Sequence, residues 1–226
     1  MSLTGSILSV DVGIKNLALC VMSADKERVE YIDVLDLRTG PSVRDCLIKE
    51  LEARKSHFEH VAVTLVEQQM KKNFLVIAAF IEMWVRLTFP GAQVLNYSAK
   101  YKLACVKPTG QKWTYSQRKR ASINMVGQWM LLHPQTDEFV AKWTALKKKD
   151  DAADAICQAL SYTPVQAAVI NARRPPLARQ KPYTRSHIKW LLQNGSEVDD
   201  RLRLSIAQFW SDMDECRRQC GIETQH

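Results

Sequence analysis

No two cysteines stand at the C-x-x-C spacing used by zinc sites and redox dithiols. The six in the chain, Cys20, Cys46, Cys105, Cys157, Cys216 and Cys220, are scattered. Free, buried thiols in a reducing, intracellular compartment are the expected result. The five histidines lack metal-ligand spacing too, and His57 and His60 read as surface residues beside a loop. Glycine is sparse, with eight residues and no cluster, so no glycine-rich phosphate loop is expected. No apolar run is long enough to cross a membrane: the longest, 74–89, is interrupted by Glu82 and Arg86. The first strand-like stretch starts so near Met1 that no signal or transit peptide is expected ahead of it.

What the chain does have is base. Lys and Arg outnumber Asp and Glu by 32 to 24, a net charge of +8 that points to a polyanionic partner. Its 226 residues, 46% hydrophobic, suffice for one well-cored domain with or without an appendage.

The run Ile7-Leu8-Ser9-Val10-Asp11-Val12-Gly13 reads as a strand buried on both faces. An ionised carboxylate in such a strand is costly unless a cation or hydrogen-bond donors meet it. Asp11 is therefore the first candidate site residue. Gly13 permits a turn or the close approach of another backbone. Strands are expected over 17–22 and 29–35, and the short connections make these three an antiparallel meander. Ser42 is placed to cap a helix running to about His57. The stretch 61–66 is a buried strand ending in Glu67, and Asn73 opens an apolar helix stopped by Pro90-Gly91. A fifth strand covers 92–96, and from Ser98 onward the pattern is helical or irregular. This order predicts an α/β fold, a five-stranded mixed sheet flanked by helices, as in the ribonuclease H-like fold.

Three places put acids where a buried site would need them: Asp11, Glu67, and the segment Lys147-Lys148-Lys149-Asp150-Asp151-Ala152-Ala153-Asp154-Ala155. Asp151 and Asp154 are three apart in an expected helix and project from one face. Ala152, Ala155, Ile156, Ala159 and Leu160 form its packing face, and Asp150 reads as its N-cap. Four converging carboxylates repel one another unless cations neutralise them. All-oxygen ligands suit Mg²⁺, with Mn²⁺ as a substitute. Two such ions roughly 4 Å apart can clamp a phosphodiester.

Asp-x-Gly on the first strand, Glu after the fourth, and Asp-Ala-Ala-Asp-Ala opening a late helix resemble the RuvC-type Holliday junction resolvases. The stretches ILSVDVGIKNLALCVM, VEQQ and KKDDAADA are most similar to the branch found in poxviruses, iridoviruses and yeast mitochondria. The resemblance covers about residues 7–162 and makes Asp11, Glu67, Asp151 and Asp154 the expected metal ligands. It implies a homodimer, two Mg²⁺ per active site, and paired nicks in a four-way DNA junction that leave 5′-phosphate and 3′-hydroxyl ends. A viral protein acting where host-cell DNA replicates is expected, a mitochondrial one being the alternative. The run Tyr115-Ser116-Gln117-Arg118-Lys119-Arg120 resembles the Tyr-x-x-Arg-Lys run of the same branch, which makes Lys119 a candidate catalytic residue. Rival readings are another ribonuclease H-like nuclease, an ATP-binding domain that also starts Asp-x-Gly, and a non-catalytic DNA-binding module. The lack of clustered glycine opposes the second, and retention of all four acids opposes the third.

Basic residues gather at Lys100/Lys102/Lys107, Lys112/Arg118/Lys119/Arg120, Lys142/Lys147/Lys148/Lys149 and Arg173 to Lys189. Lys15, Lys112, Arg118, Lys119, Arg120, Lys148 and Lys149 are the expected DNA contacts. The nuclease core is expected over 1–163. A basic linker and two helices, 184–193 and 197–219, should pack on the core or on a partner subunit.

Overall fold

Strand β1 (Ser6–Asp11) lies at the centre of the sheet and is buried along its whole length. The computed structural model describes residues 4–106 and 112–173. On one side β1 pairs antiparallel with β2 (Leu17–Met22), which pairs antiparallel with β3 (Val29–Leu35). On the other side it pairs parallel with β4 (Val61–Glu67), and β4 pairs parallel with β5 (Gln93–Tyr97). The order β3-β2-β1-β4-β5 is the mixed sheet expected from the sequence. At the turn out of β1, a Cβ on Gly13 would lie 2.6 Å from the Asn16 carbonyl oxygen, so a side chain there would collide with backbone.

Helices α1 (Val43–Ala53) and α2 (Lys72–Thr88) cover one face of the sheet. Leu47, Leu51, Ile77, Ile81 and Val85 pack there against Leu8, Val10 and Leu19. The first helix ends at Ala53, short of the expected His57, and a 3-10 turn over Lys55–Phe58 takes the chain into β4. The other face carries α3 (Ala99–Val106), α4 (Tyr115–Leu132), α5 (Asp137–Ala145), α6 (Asp150–Ser161) and α7 (Pro164–Arg173). The last of these adds Ala167 and Ile170 to the core on this face. The helices expected over 184–193 and 197–219 lie outside the described residues.

Helix α6 sits directly on β1 and β2 because its inner face is small. Ala152, Ala153, Ala155 and Ala159 are all fully buried. Ala155→Leu should force the helix off the sheet and lower unfolding free energy by about 1–3 kcal/mol, read from urea melts. An unchanged melt would mean that the contact has slack.

Candidate active site

Alternation along β1 turns Ile7, Ser9 and Asp11 towards α6 and leaves Leu8 and Val10 to α1 and α2. On β4 the same period gives Val63, Leu65 and Glu67 the α6 side. On α6 the helical period places Asp151, Asp154 and Gln158 on one face. Two strand periods and one helix period thus aim four acids at a single point. Gln158 is fully buried, and its amide Nε2 donates to the carbonyls of Val10 (3.2 Å) and Leu65 (3.0 Å). It ties the helix to both strands just behind Asp11 and Glu67.

Two lysines join the acids. Lys119, on the first turns of α4, donates from Nζ to Asp154 Oδ2 at 2.8 Å and Asp151 Oδ1 at 2.9 Å, with Asp150 at 3.6 Å. A reciprocal capping box between Thr114 and Gln117 fixes the start of that helix. Lys102, on α3, reaches Glu67 Oε1 at 2.8 Å, Asp11 Oδ1 at 3.3 Å and Asp154 Oδ2 at 3.4 Å. It is only 7% exposed, as buried as Asp11, Asp151 and Asp154 at 8% each.

The charges explain one another. Burial pushes the Asp11 carboxyl well above the ordinary carboxylate range; Lys102 opposes that rise, while Glu67 and Asp154 reinforce it. Burial also works upward on Glu67, but the hydrogen bond from Asp11 and the Lys102 ammonium hold it below its usual value. Asp151 is likewise lowered: against burial stand hydrogen bonds from Lys148 and Lys119. Burial alone would depress both Lys102 and Lys119, yet the surrounding carboxylates outweigh it and raise each.

Lys102 departs from the sequence reading, which placed it in a basic group with Lys100 and Lys107 and gave it no part in the site. Two residues apart on a helix is about 200° of rotation, so both cannot face the same way. Lys100 lies over the Tyr101 ring at 4.9 Å, and Lys102 turns inward to the acids. That angular offset was the available signal. A second correction concerns Asp150. Lys149 holds the N-cap position of α6, without a side-chain cap, and Asp150 is the first helical residue. Its carboxylate pairs with Lys148 at 3.5 Å as well as with Lys119.

The other expected DNA contacts lie at or near the surface. Lys15, Lys112 and Arg120 are exposed, and the half-buried Arg118 lies over the Tyr115 ring at 6.0 Å. Lys148 is exposed but donates to Asp151 at 2.6 Å, and Lys149 lies over Trp143 at 5.7 Å.

Among the described residues, no three acids are spaced to hold a metal ion as they stand. The lysine ammonium groups lie between their oxygens instead. In chemistry the donor set does fit a hard divalent cation, since every ligand is a carboxylate oxygen. The Lys102 ammonium is itself a stand-in cation, with three of those acids within 3.4 Å.

The fold is an α/β one, a five-stranded mixed sheet flanked by helices, with acids from β1, β4 and α6 gathered at one place. Residues 6–167 match the family model described as Poxvirus A22 protein, and the chain belongs to that family. It is 24% identical over 156 residues to the protein named Resolvase OPG149 of Variola virus, covering 69% of this chain and 74% of that one. Identity and coverage are the same for the Holliday junction resolvase of Vaccinia virus strain Ankara. An uncharacterized protein, 97L of Invertebrate iridescent virus 3, is 26% identical over 151 residues, 61% of this chain and 67% of the relative. Among solved structures, the yeast mitochondrial Holliday junction resolvase Ydc2 superposes with a TM-score of 0.53 at 20% identity, covering 75% of this chain and 82% of that one. That likeness is one of fold.

Proposed function

We propose that this protein is a nuclease that resolves Holliday junctions and depends on a divalent metal. The observation that carries the reading is the meeting of Asp11, Glu67, Asp151 and Asp154, drawn from β1, β4 and α6, around two ammonium groups. Family membership and relatives named as resolvases support the substrate. Those four acids would hold Mg²⁺ or Mn²⁺, two ions per site. Such ions activate water and stabilise the leaving oxygen of a phosphodiester. The chain's own contribution is placement. Gln158 keeps the helix and strands in register, and Lys119 puts a fixed positive charge beside the acids where a phosphate would enter. Lys15, Lys112, Arg118, Arg120, Lys148 and Lys149 would steer the DNA backbone towards that point.

A homodimer completes the reading. Two active sites related by a two-fold axis match a four-way junction with two-fold character and cut opposed strands. Ends with 5′-phosphate and 3′-hydroxyl would let ligase seal both nicks. The named relatives are viral, and we read this chain as a viral protein acting on DNA inside the host cell.

The test is a side-by-side digestion, with Mg²⁺ and with EDTA, of labelled four-way junction, fork, plain duplex and RNA–DNA hybrid. Paired, ligatable nicks in the junction that vanish in EDTA are expected. Preferential cutting of the hybrid would make the protein a ribonuclease H instead.

A further inference from the structure

We propose that Lys102 is an exchangeable counter-ion, whose ammonium occupies the cation position between Asp11, Glu67 and Asp154 until a divalent metal displaces it. The inference rests on the metal-dependent reading above and extends it to the state without metal.

An ammonium has three hydrogens and no lone pair. Lys102 directs its Nζ at three carboxylates carried by three different elements, at 2.8, 3.3 and 3.4 Å. It sits among them, where a bound cation would sit, and solvent barely reaches it. Mg²⁺ draws oxygens to about 2.0–2.1 Å, well inside these nitrogen–oxygen distances. The same oxygens cannot close on a metal while the ammonium remains between them, because two cations at one centre repel strongly. Lys119 holds a different place, paired with Asp151 and Asp154 and meeting Lys102 at the Asp154 Oδ2 atom. Among the described residues, Lys102 is the ammonium paired with both Asp11 and Glu67, and its withdrawal would open both to an incoming ion. Without it, the Asp11 and Glu67 carboxyl groups would face each other across the site. Metal entry and lysine departure thus form a single exchange that keeps the cluster neutralised throughout.

The test is Mn²⁺ binding to the full chain in the absence of DNA, followed by calorimetry or by the free-ion electron paramagnetic signal. Wild type is compared with Lys102→Met, Lys102→Gln and, as a charge control, Lys49→Met, which removes one positive charge from exposed α1. Both Lys102 variants should bind Mn²⁺ about ten-fold tighter or better than wild type, as removal of a competing cation requires. Lys49→Met should stay within about two-fold, its charge being solvent-screened. Lys102 variants that bind no tighter than wild type overturn the proposal. Thermal melts give a second measurement for a variant that folds poorly without metal: Mg²⁺ should raise its midpoint more than that of wild type, and an equal rise overturns the proposal. Junction cleavage by wild type that persists undiminished in EDTA would overturn the metal reading itself, and this proposal with it. A metal-requiring wild type with unchanged Mn²⁺ affinity in the Lys102 variants overturns the counter-ion alone.

Discussion

Asp154→Asn is expected to abolish junction cleavage while leaving junction binding nearly intact. Asp154 is the acid both lysines share, with Lys119 at 2.8 Å and Lys102 at 3.4 Å. It therefore stands at the middle of the cluster rather than at its rim. Asparagine keeps the shape and one oxygen but removes the charge, so the helix should remain seated on the sheet. Losing one anionic ligand from a metal clamp should slow the chemical step by roughly a hundred-fold or more, about 3 kcal/mol in the barrier. Single-turnover cleavage measures that loss, and gel-shift titration of the same junction measures binding. Near-normal cutting by the variant would remove Asp154 from the reaction.

Lys119→Met should have the next largest effect, and on two properties at once. Its ammonium neutralises Asp151 and Asp154 from a position that is 15% exposed at the side chain. Methionine would fill the space and leave Asp151 to the exposed Lys148 and Asp154 to the longer contact with Lys102. In metal-free protein the variant should lose about 1–3 kcal/mol of stability, the cost of stranding paired groups that are mostly buried. The pH dependence follows from the sign of the shift. Because Lys119 is raised above its ordinary value, its contribution is complete below the unfolded lysine pKa of about 10.4. It is lost only as pH rises through the still higher folded value, so the deficit of the variant should be constant from pH 6 to 9 on the same reasoning. Cleavage should fall by about a hundred-fold, the low end of the loss for one aligned donor, with Lys119→Arg restoring part of it. Equal losses in cleavage and gel-shift affinity would return Lys119 to a simple phosphate contact.

How much of this was legible before any coordinates depends on whether the signal was local. The strand at residues 61–67 announces itself by an unbroken β-branched and apolar run, and it forms where expected. The meander follows from short connections, and the mixed sheet with flanking helices from the order of strands and helices along the chain. The acids were visible because a carboxylate inside such a run, or two of them three apart at a helix start, is chemically conspicuous. Lys102 was not, because a lysine in a basic segment resembles its neighbours until the phase of the helix is known. Gln158 was missed for a related reason: a glutamine on a helix carries no hint that two strand carbonyls lie beneath it.

The amino-acid sequence alone determined the five strands, their order along the chain, and which four acids were candidates to meet. Each of these is set by periods of two or 3.6 residues and by the cost of burying charge, which act over a few neighbouring positions. Only the tertiary structure decided which cations meet those acids. Lys102 and Asp11 are 91 residues apart along the chain, and a Coulombic pairing depends on distance in space, which no local pattern encodes.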